Sequence, residues 1–261
     1  MKLGVSTACL YPTETETAMK ILMEQGILDF EMFVNCESEI KPPFQKKIKA
    51  LLAQTGSRLH SIHPFSSVYE PYLLFSAYER RYRDGLELYK RYCDMASNCG
   101  ASLIVIHGDR KERTVLPDEG YFERFHGLME VGEALGVTVA QENVYAYRAD
   151  NAEFIAKMKN ALPKARFVYD IKQEYRTGVP FLTVAEAMGD RIIHTHISDN
   201  TKEQECRLPL TGEVDFARLF SFLKASGFDG AAIIEVYRHN FGEIHEIKQS
   251  YQSLLQSNSD I

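Results

Sequence analysis

Eight short runs rich in Val, Ile, Leu or Phe alternate with helix-patterned segments along the whole chain, and this alternation constrains the fold more than any other feature. A doubly wound open sheet shows the same alternation but requires no eightfold count. Eight units in 261 residues match a (β/α)8 barrel, which typically needs about 250. We therefore predict α/β class, with residues 1–261 forming a single (β/α)8 TIM barrel domain. The predicted strands cover residues 3–9, 28–35, 58–64, 101–107, 138–144, 165–171, 192–198 and 230–237.

Capping residues predict where several of the intervening helices begin and end. Thr13, with Glu16 three residues later, has the pattern of a capping box at the start of the first helix. An apolar stripe predicts a helix over 75–99, which Gly100 would terminate. Asp215 is expected to begin the seventh helix.

Six of the eight predicted strands end in a side chain that can bind a metal. Strand side chains alternate with a period of two, so each of these residues shares a face with the residue two places earlier. In a parallel barrel, the strand ends meet at one mouth, where such enzymes carry their catalytic groups. A ring of carboxylates and imidazoles there suits Mn, Zn, Co, Fe or Mg and points to an enzyme. The six residues are His63, His107, Glu142, Asp170, His196 and Glu235.

Composition excludes several other classes of protein. With 30 basic and 36 acidic residues, the formal net charge is −6, which disfavours binding to nucleic acid. No apolar run approaches the roughly 18 residues of a membrane span, and the N-terminal residues lack the pattern of a secretory signal. Five cysteines without CxxC spacing suit a reducing compartment, so we expect a cytoplasmic protein.

The order of motifs along the chain resembles the xylose isomerase-like barrel superfamily. This superfamily includes sugar and sugar-phosphate isomerases, ketose 3-epimerases, an inosose dehydratase and an apurinic endonuclease branch. The resemblance covers essentially the whole barrel, and the combination of motifs is far more specific than any one of them. The motifs are QENV (141–144), VYDIKQ (168–173), IIHTHISDN (192–200), LPLTGEVDF (208–216) and IIEVY (233–237).

The resemblance implies a metal-dependent sugar or sugar-phosphate isomerase or epimerase. In the epimerase branch, the residues that match Glu142, Asp170, His196 and Glu235 hold one divalent metal. The two glutamates stand on opposite sides of that metal, and one abstracts a proton that the other can return. The metal stabilises the enediolate formed when the proton leaves. The implied cofactor is therefore a divalent cation such as Mn, Zn, Co or Mg, and the implied partner is a small-molecule sugar.

Departures from the epimerase pattern concern substrate binding. A histidine usually follows the aspartate by three residues, but here that position is Gln173, which can still bond a sugar hydroxyl. Lys172 shares the strand parity of Asp170 and is predicted to bind substrate at the rim. Arg207 lies in the loop where that branch uses an arginine for substrate.

The endonuclease branch offers an alternative interpretation of His63 and His107. In that branch, the matching histidines help to hold a further zinc. The third-metal set of that branch is broken here, because Gln173 replaces a histidine and the stretch 207–210 lacks the expected ligand pair. In a sugar enzyme, the two histidines would bind substrate hydroxyls or a second metal. The alternatives are an inosose dehydratase-like lyase, an endonuclease IV-like two-zinc phosphodiesterase and a non-catalytic sugar-binding barrel. A homo-oligomer is compatible with the family.

Overall fold

Eight parallel strands close into a barrel in chain order, so that β1 pairs with both β2 and β8. This computed structural model describes residues 1–113 and 115–259. The predicted (β/α)8 barrel is confirmed, and every predicted strand overlaps an observed one. The strands are β1 (Lys2–Ser6), β2 (Asp29–Val34), β3 (Arg58–Pro64), β4 (Leu103–Ile106), β5 (Thr138–Glu142), β6 (Arg166–Asp170), β7 (Ile192–Ile197) and β8 (Ala231–Ile234).

Helices connect successive strands and surround the barrel. No helix within the described ranges is both long enough and apolar enough to cross a bilayer. The helices are α1 (Thr15–Glu24), α2 (Pro42–Thr55), α3 (Glu70–Leu73), α4 (Glu79–Cys99), α5 (Asp118–Glu133), α6 (Ala152–Ala161), α7 (Ile171–Thr177), α8 (Thr183–Met188), α9 (Phe216–Ala225) and α10 (Ile244–Ser259).

The predicted capping box at Thr13 is wrong. The α1 helix begins at Thr15, and its N-cap residue Glu14 makes no side-chain capping bond. The backbone amide of Thr13 instead donates to the carbonyl of Leu10 at 2.9 Å, so this residue closes the preceding turn. A short-range turn therefore displaces the start of the helix, although the helix itself was predicted.

The helix predicted over 75–99 starts later than expected. The α4 helix begins at Glu79, because the Ser76 hydroxyl accepts a 3.0 Å hydrogen bond from the amide of Tyr78 and holds the chain in a turn. Its end is as predicted, since Gly100 adopts the left-handed conformation with φ of +83°. The start of the predicted seventh helix, which is α9 in the structure, is also confirmed. The Asp215 carboxylate caps it by accepting a 2.9 Å hydrogen bond from the amide of Arg218.

Apolar side chains occupy part of the barrel interior below its carboxyl-terminal mouth, beside the buried polar residues Glu31, Ser61 and His194. A small inner cluster comprises Leu103, Val105, Ala140 and Val168, with Ile193 packed against it. A larger core lies between the strands and the surrounding helices. Val105, Ala140 and Val168 lie two residues before His107, Glu142 and Asp170. On these three strands, the inward-facing residue directly below each predicted site residue is therefore apolar.

Candidate metal centre

Four predicted metal ligands lie on four adjacent strands and meet at the barrel mouth. Glu142 ends β5, Asp170 ends β6, His196 is the penultimate residue of β7, and Glu235 directly follows β8. Asp170 is in register with His196, which places their side chains side by side. One donor atom from each of the four residues lies within 4.8 Å of the others.

The imidazole of His196 faces three carboxylates through one ring nitrogen. Its Nδ1 atom lies 3.0 Å from Glu142 Oε1, 3.6 Å from Glu235 Oε2 and 3.8 Å from Asp170 Oδ2. Only Glu235 keeps appreciable exposure, at 13% of its side chain. The strand ends thus gather three negative charges and one ring around a point that is largely shielded from water.

Electrostatic coupling keeps Glu142 and His196 charged. Burial favours the neutral form of Glu142, yet the charge of His196 and the nearby imidazoles of His107 and His63 hold the pKa of Glu142 well below the usual range. Burial likewise favours neutral His196, but Glu31, Glu235 and Glu142 raise its pKa well above the usual value. The centre is therefore an array of carboxylates and an imidazolium that stabilise one another.

Lys172 lies inside this array. Its Nζ atom is 3.0 Å from Glu235 Oε2 and 3.4 Å from Asp170 Oδ2, and only 3% of the side chain is exposed. Burial alone would lower the pKa of Lys172, but Asp170 and Glu235 raise it well above the ordinary value. The sequence placed this lysine at the rim, and the structure adds that its ammonium bridges two of the predicted ligands.

The residues present fit a divalent cation. Asp170 Oδ2 and Glu142 Oε2 are buried and accept no well-aligned hydrogen bond; their neighbours are the charged or ionisable groups of Lys172 and His107, at 3.4 Å and 3.2 Å. Three carboxylates and one imidazole form a donor set that suits Mn, Zn, Co or Mg. Buried carboxylates this close repel one another, and a bound dication would relieve that repulsion.

His63 and His107 form a second group on the other side of Glu142. Their Nε2 atoms are 3.0 Å apart, and those of His107 and His63 lie 3.2 Å and 3.7 Å from Glu142 Oε2. All three residues offer donor atoms within 4.8 Å of one another. The structure therefore brings the two predicted histidines to the site, in a position to hold a second cation or to contact substrate.

A cavity of 470 Å³ opens directly above these groups. Its floor includes Glu142 and Glu235, and its wall includes Gln173, whose Oε1 atom accepts a 3.1 Å hydrogen bond from the amide of Tyr145. Aromatic rings supply much of the remaining surface, which is a common way to bind a small ligand. These aromatic residues are Tyr11, Phe33, Phe65 and Tyr237.

Arg207 lies apart from the residues that line this cavity. Its guanidinium donates to Gln204 Oε1 at 2.8 Å and to Thr211 Oγ1 at 3.4 Å, within the loop that follows β7. Its predicted role in substrate binding stays a prediction. The same loop is anchored by Asp199, whose carboxylate accepts from four backbone amides at 2.8–3.0 Å.

Sequence reasoning missed Glu31. This residue lies in the middle of β2 and is completely buried, and its Oε2 atom is 3.0 Å from His196 Nε2. It was missed because we considered strand ends, whereas Glu31 projects into the barrel at a lower level. One signal was available: a carboxylate within the apolar run of β2 is rare unless it is paired.

Comparisons with known proteins agree with this architecture. Residues 22–257 match the family described as xylose isomerase-like TIM barrel. An uncharacterised protein of Mycobacterium tuberculosis is 27% identical over 263 residues, covering 90% of this chain and 89% of the relative. Fructoselysine 3-epimerase of Shigella flexneri is 22% identical over 249 residues, covering 90% of each chain.

Solved structures with the same fold cover nearly the whole chain. A D-tagatose 3-epimerase-like protein superimposes with a TM-score of 0.79 at 19% identity, covering 100% of this chain and 97% of the other. The Escherichia coli 3-keto-D-glucoside 4-epimerase superimposes with a TM-score of 0.78 at 18% identity, covering 98% and 99%. At these identities the likeness concerns the fold. Given the match across 22–257, the chain belongs to the xylose isomerase-like TIM barrel family.

Proposed function

We propose that this protein is a divalent-metal-dependent isomerase or epimerase of a sugar or sugar phosphate. The observation that carries the proposal is the convergence of Glu142, Asp170, His196 and Glu235 beneath an open cavity. Relatives that match most of the chain include a fructoselysine 3-epimerase, which supports a sugar as the substrate. On this assignment, the protein acts on a small-molecule substrate in the cytoplasm.

Four residues would hold the metal: Glu142, Asp170, His196 and Glu235. When bound, the cation supplies positive charge that offsets the negative charge developing on substrate oxygens as a C–H proton leaves. The protein supplies the positions of the proton-transfer groups around the substrate.

Glu142 and Glu235 are the proposed acid–base pair. Both line the cavity, and both are held in the ionised form by neighbouring positive charges, so either can accept a proton. Burial raises the pKa of Glu235, but Lys172 and His196 lower it overall. Proton removal by one carboxylate and return by the other, on a different face of the carbon, inverts a stereocentre; return to a neighbouring carbon moves the carbonyl.

The polar groups of the cavity wall are the proposed substrate contacts. His63, His107, Lys172 and Gln173 present donors toward the cavity, where sugar hydroxyls can accept hydrogen bonds. Aromatic rings such as Phe33 and Tyr237 offer apolar surface for the C–H face of a sugar.

A two-metal phosphodiesterase is the second candidate function. It is favoured by one observation, the group of His63, His107 and Glu142 that stands beside the first set of ligands and shares a residue with it. The acidic net charge of −6 opposes a nucleic-acid substrate. A lyase of cyclic polyol ketones would use the first group of ligands in the same way as the isomerase.

Metal analysis followed by substrate tests in heavy water distinguishes these functions. We expect one tightly bound metal per chain and metal-dependent deuterium incorporation at a carbon of a ketose or aldose. Glu142→Gln and Glu235→Gln should each abolish the incorporation. Full turnover by both variants would contradict the mechanism, loss of water from substrate would indicate the lyase, and two zincs with diesterase activity would indicate the hydrolase. Metal binding without any reaction would indicate a sugar-binding barrel.

A further inference from the structure

Glu31 contacts the metal centre from below, through the ring of His196. Its Oε2 atom lies 3.0 Å from His196 Nε2, on the opposite edge of the imidazole from the Nδ1 atom that faces the three carboxylates. Glu31 is 0% exposed, so no water competes for this contact. The two ring nitrogens of His196 thus have separate partners, one below and one above.

The chemistry of a metal-bound imidazole requires this division. A neutral imidazole carries one proton, and the nitrogen that binds a metal must be the unprotonated one. If Nδ1 of His196 is the ligand atom, the proton must reside on Nε2. A carboxylate placed 3.0 Å from Nε2 accepts that proton in a hydrogen bond and thereby favours this tautomer.

Glu31 is itself held in place by two further groups. The Ser61 hydroxyl donates to Glu31 Oε2 at 2.8 Å, and His194 Nε2 lies 3.1 Å from the same oxygen. These contacts come from β3 and β7, on either side of the barrel interior. The carboxylate is therefore fixed by its surroundings before any metal binds.

We infer that Glu31 is a positioning residue, which fixes the tautomer and ring orientation of His196 so that Nδ1 is presented to the cation. The inference rests on the proposed function only in assuming that His196 binds a metal. Glu31 does not line the cavity, so its effect on the reaction passes through His196. An outer carboxylate of this kind typically changes metal affinity by about 10–100-fold.

Zinc titration of the metal-free protein tests the inference. Glu31→Gln keeps the size of the side chain but removes the charge that Nε2 faces, and its affinity for Zn²⁺ should fall by about 10–100-fold. In the zinc-loaded wild type, nitrogen-edited NMR should show His196 with its ring proton on Nε2, in slow exchange with solvent. In the variant, that proton should exchange faster or the tautomer should change.

Matched variants separate positioning from loss of stability. Glu174→Gln removes another buried carboxylate, which lies in α7 and accepts a hydrogen bond from Tyr169 Oη at 2.6 Å without contacting His196, and it should leave zinc affinity unchanged. Ser61→Ala removes one donor to Glu31 but retains its charge, so affinity should fall by a smaller factor. This second variant keeps the test available if Glu31→Gln fails to fold.

Three outcomes would overturn the inference. Unchanged zinc affinity and an unchanged His196 signal in Glu31→Gln would show that the carboxylate does not position the ring. Two zincs in the wild type with one remaining in the variant would make Glu31 a ligand, in a group with His194 and His196. A wild-type protein that binds no divalent metal would refute the proposed function as well, and this separates the two failures.

Discussion

Charge compensation between individual side chains lowers the cost of gathering three carboxylates at the barrel mouth. The carboxylates of Glu142, Asp170 and Glu235 are balanced by the imidazolium of His196 and the ammonium of Lys172. These contacts occupy the atoms that a metal would use, so binding must displace part of this network. A cation bound at His196 would displace the proton on Nδ1, because that nitrogen needs its lone pair to act as a ligand.

Metal binding should therefore release about one proton from the protein near neutral pH. The pKa of His196 is raised well above its ordinary value by Glu31, Glu235 and Glu142, despite burial, so the ring is charged before binding. Lowering the pH should weaken binding, since protons compete for Nδ1. Calorimetric titrations in buffers with different ionisation enthalpies measure the released proton, and identical heats in all buffers would contradict the prediction.

Protonation of the buried Glu70 carboxyl should make the free energy of unfolding depend on pH. Glu70 is fully buried between the Tyr89 hydroxyl at 2.5 Å and the amide of Gly108 at 2.6 Å. Burial raises its pKa from 4.5 to about 8, although these hydrogen bonds oppose the shift. Between these values the folded state holds a proton that the unfolded state has lost. Stability should thus fall as pH rises through this window, by up to roughly 1.4 kcal/mol per pH unit.

Glu70→Gln should remove this dependence. Chemical unfolding of the variant between pH 5 and 8, in buffer that contains a metal chelator, should show a flatter profile than that of the wild type. The exposed Glu203→Gln serves as the control, and its profile should match that of the wild type. A Glu70→Gln profile as steep as the wild-type one would assign the dependence to other groups.

At the scale of elements, the turn from β6 into α7 connects the proposed metal site to the start of a helix. Asp170 Oδ1 accepts from the amide of Gln173 at 3.0 Å as the N-cap of α7, while its Oδ2 faces His196 and Lys172. Asn143 fixes the backbone of the same residue, with its side chain bonded to both the amide and the carbonyl of Asp170. The two oxygens of Asp170 therefore have separate roles: Oδ1 caps α7, and Oδ2 faces the proposed metal site.

Two substitutions at Asp170 should separate these roles. Asp170→Asn retains a capping oxygen but loses the charge that faces Lys172 and the proposed cation, so metal affinity should fall. Asp170→Ala also loses the cap, which should cost a further ~1 kcal/mol in the free energy of unfolding. Chemical unfolding without metal and zinc titration measure the two effects. Equal stability of the two variants would show that the cap contributes nothing.

The elements themselves were predictable, whereas several of their partners were not. Hydrophobic periodicity located all eight strands. The alternation of side chains along each strand identified six strand-end residues that meet at the mouth, namely His63, His107, Glu142, Asp170, His196 and Glu235. The start of α1 was misplaced because a turn at Thr13 depends on a local backbone bond. Lys172 was placed at the rim, but its bond to Glu235, 63 residues away, depends on the closure of the barrel. Glu31 was missed because only strand ends were considered, although a carboxylate within the apolar run of β2 was a signal in the sequence.

At the scale of the whole molecule, barrel closure brings distant segments to one point. Glu31 and His196 are 165 residues apart in the chain yet lie 3.0 Å apart in the folded protein. The proposed ligands lie at or directly after the ends of four separate strands, so the site cannot persist once the barrel opens. Binding of a cation should therefore stabilise the fold as a whole.

Metal should raise the melting temperature in a concentration-dependent manner. At a free concentration of 100 times Kd, a ligand that binds only the folded state adds ~2.7 kcal/mol to the free energy of unfolding. Chelator should reverse the gain, and Asp170→Asn should show a smaller one at the same metal concentration. Thermal unfolding monitored by circular dichroism measures the shift. Equal gains in the wild type and in Asp170→Asn would place the bound metal elsewhere.

The ion pairs of Lys172 have a consequence for carbonyl chemistry. A lysine beside a keto sugar can form a Schiff base, but only as the free amine. In the metal-free protein, burial lowers the pKa of Lys172, but Asp170 and Glu235 raise it well above the ordinary value, so the ammonium keeps its proton. Lys172 is therefore a poor nucleophile in this form, and borohydride reduction of the metal-free protein in the presence of a ketose should leave it without a covalent sugar adduct.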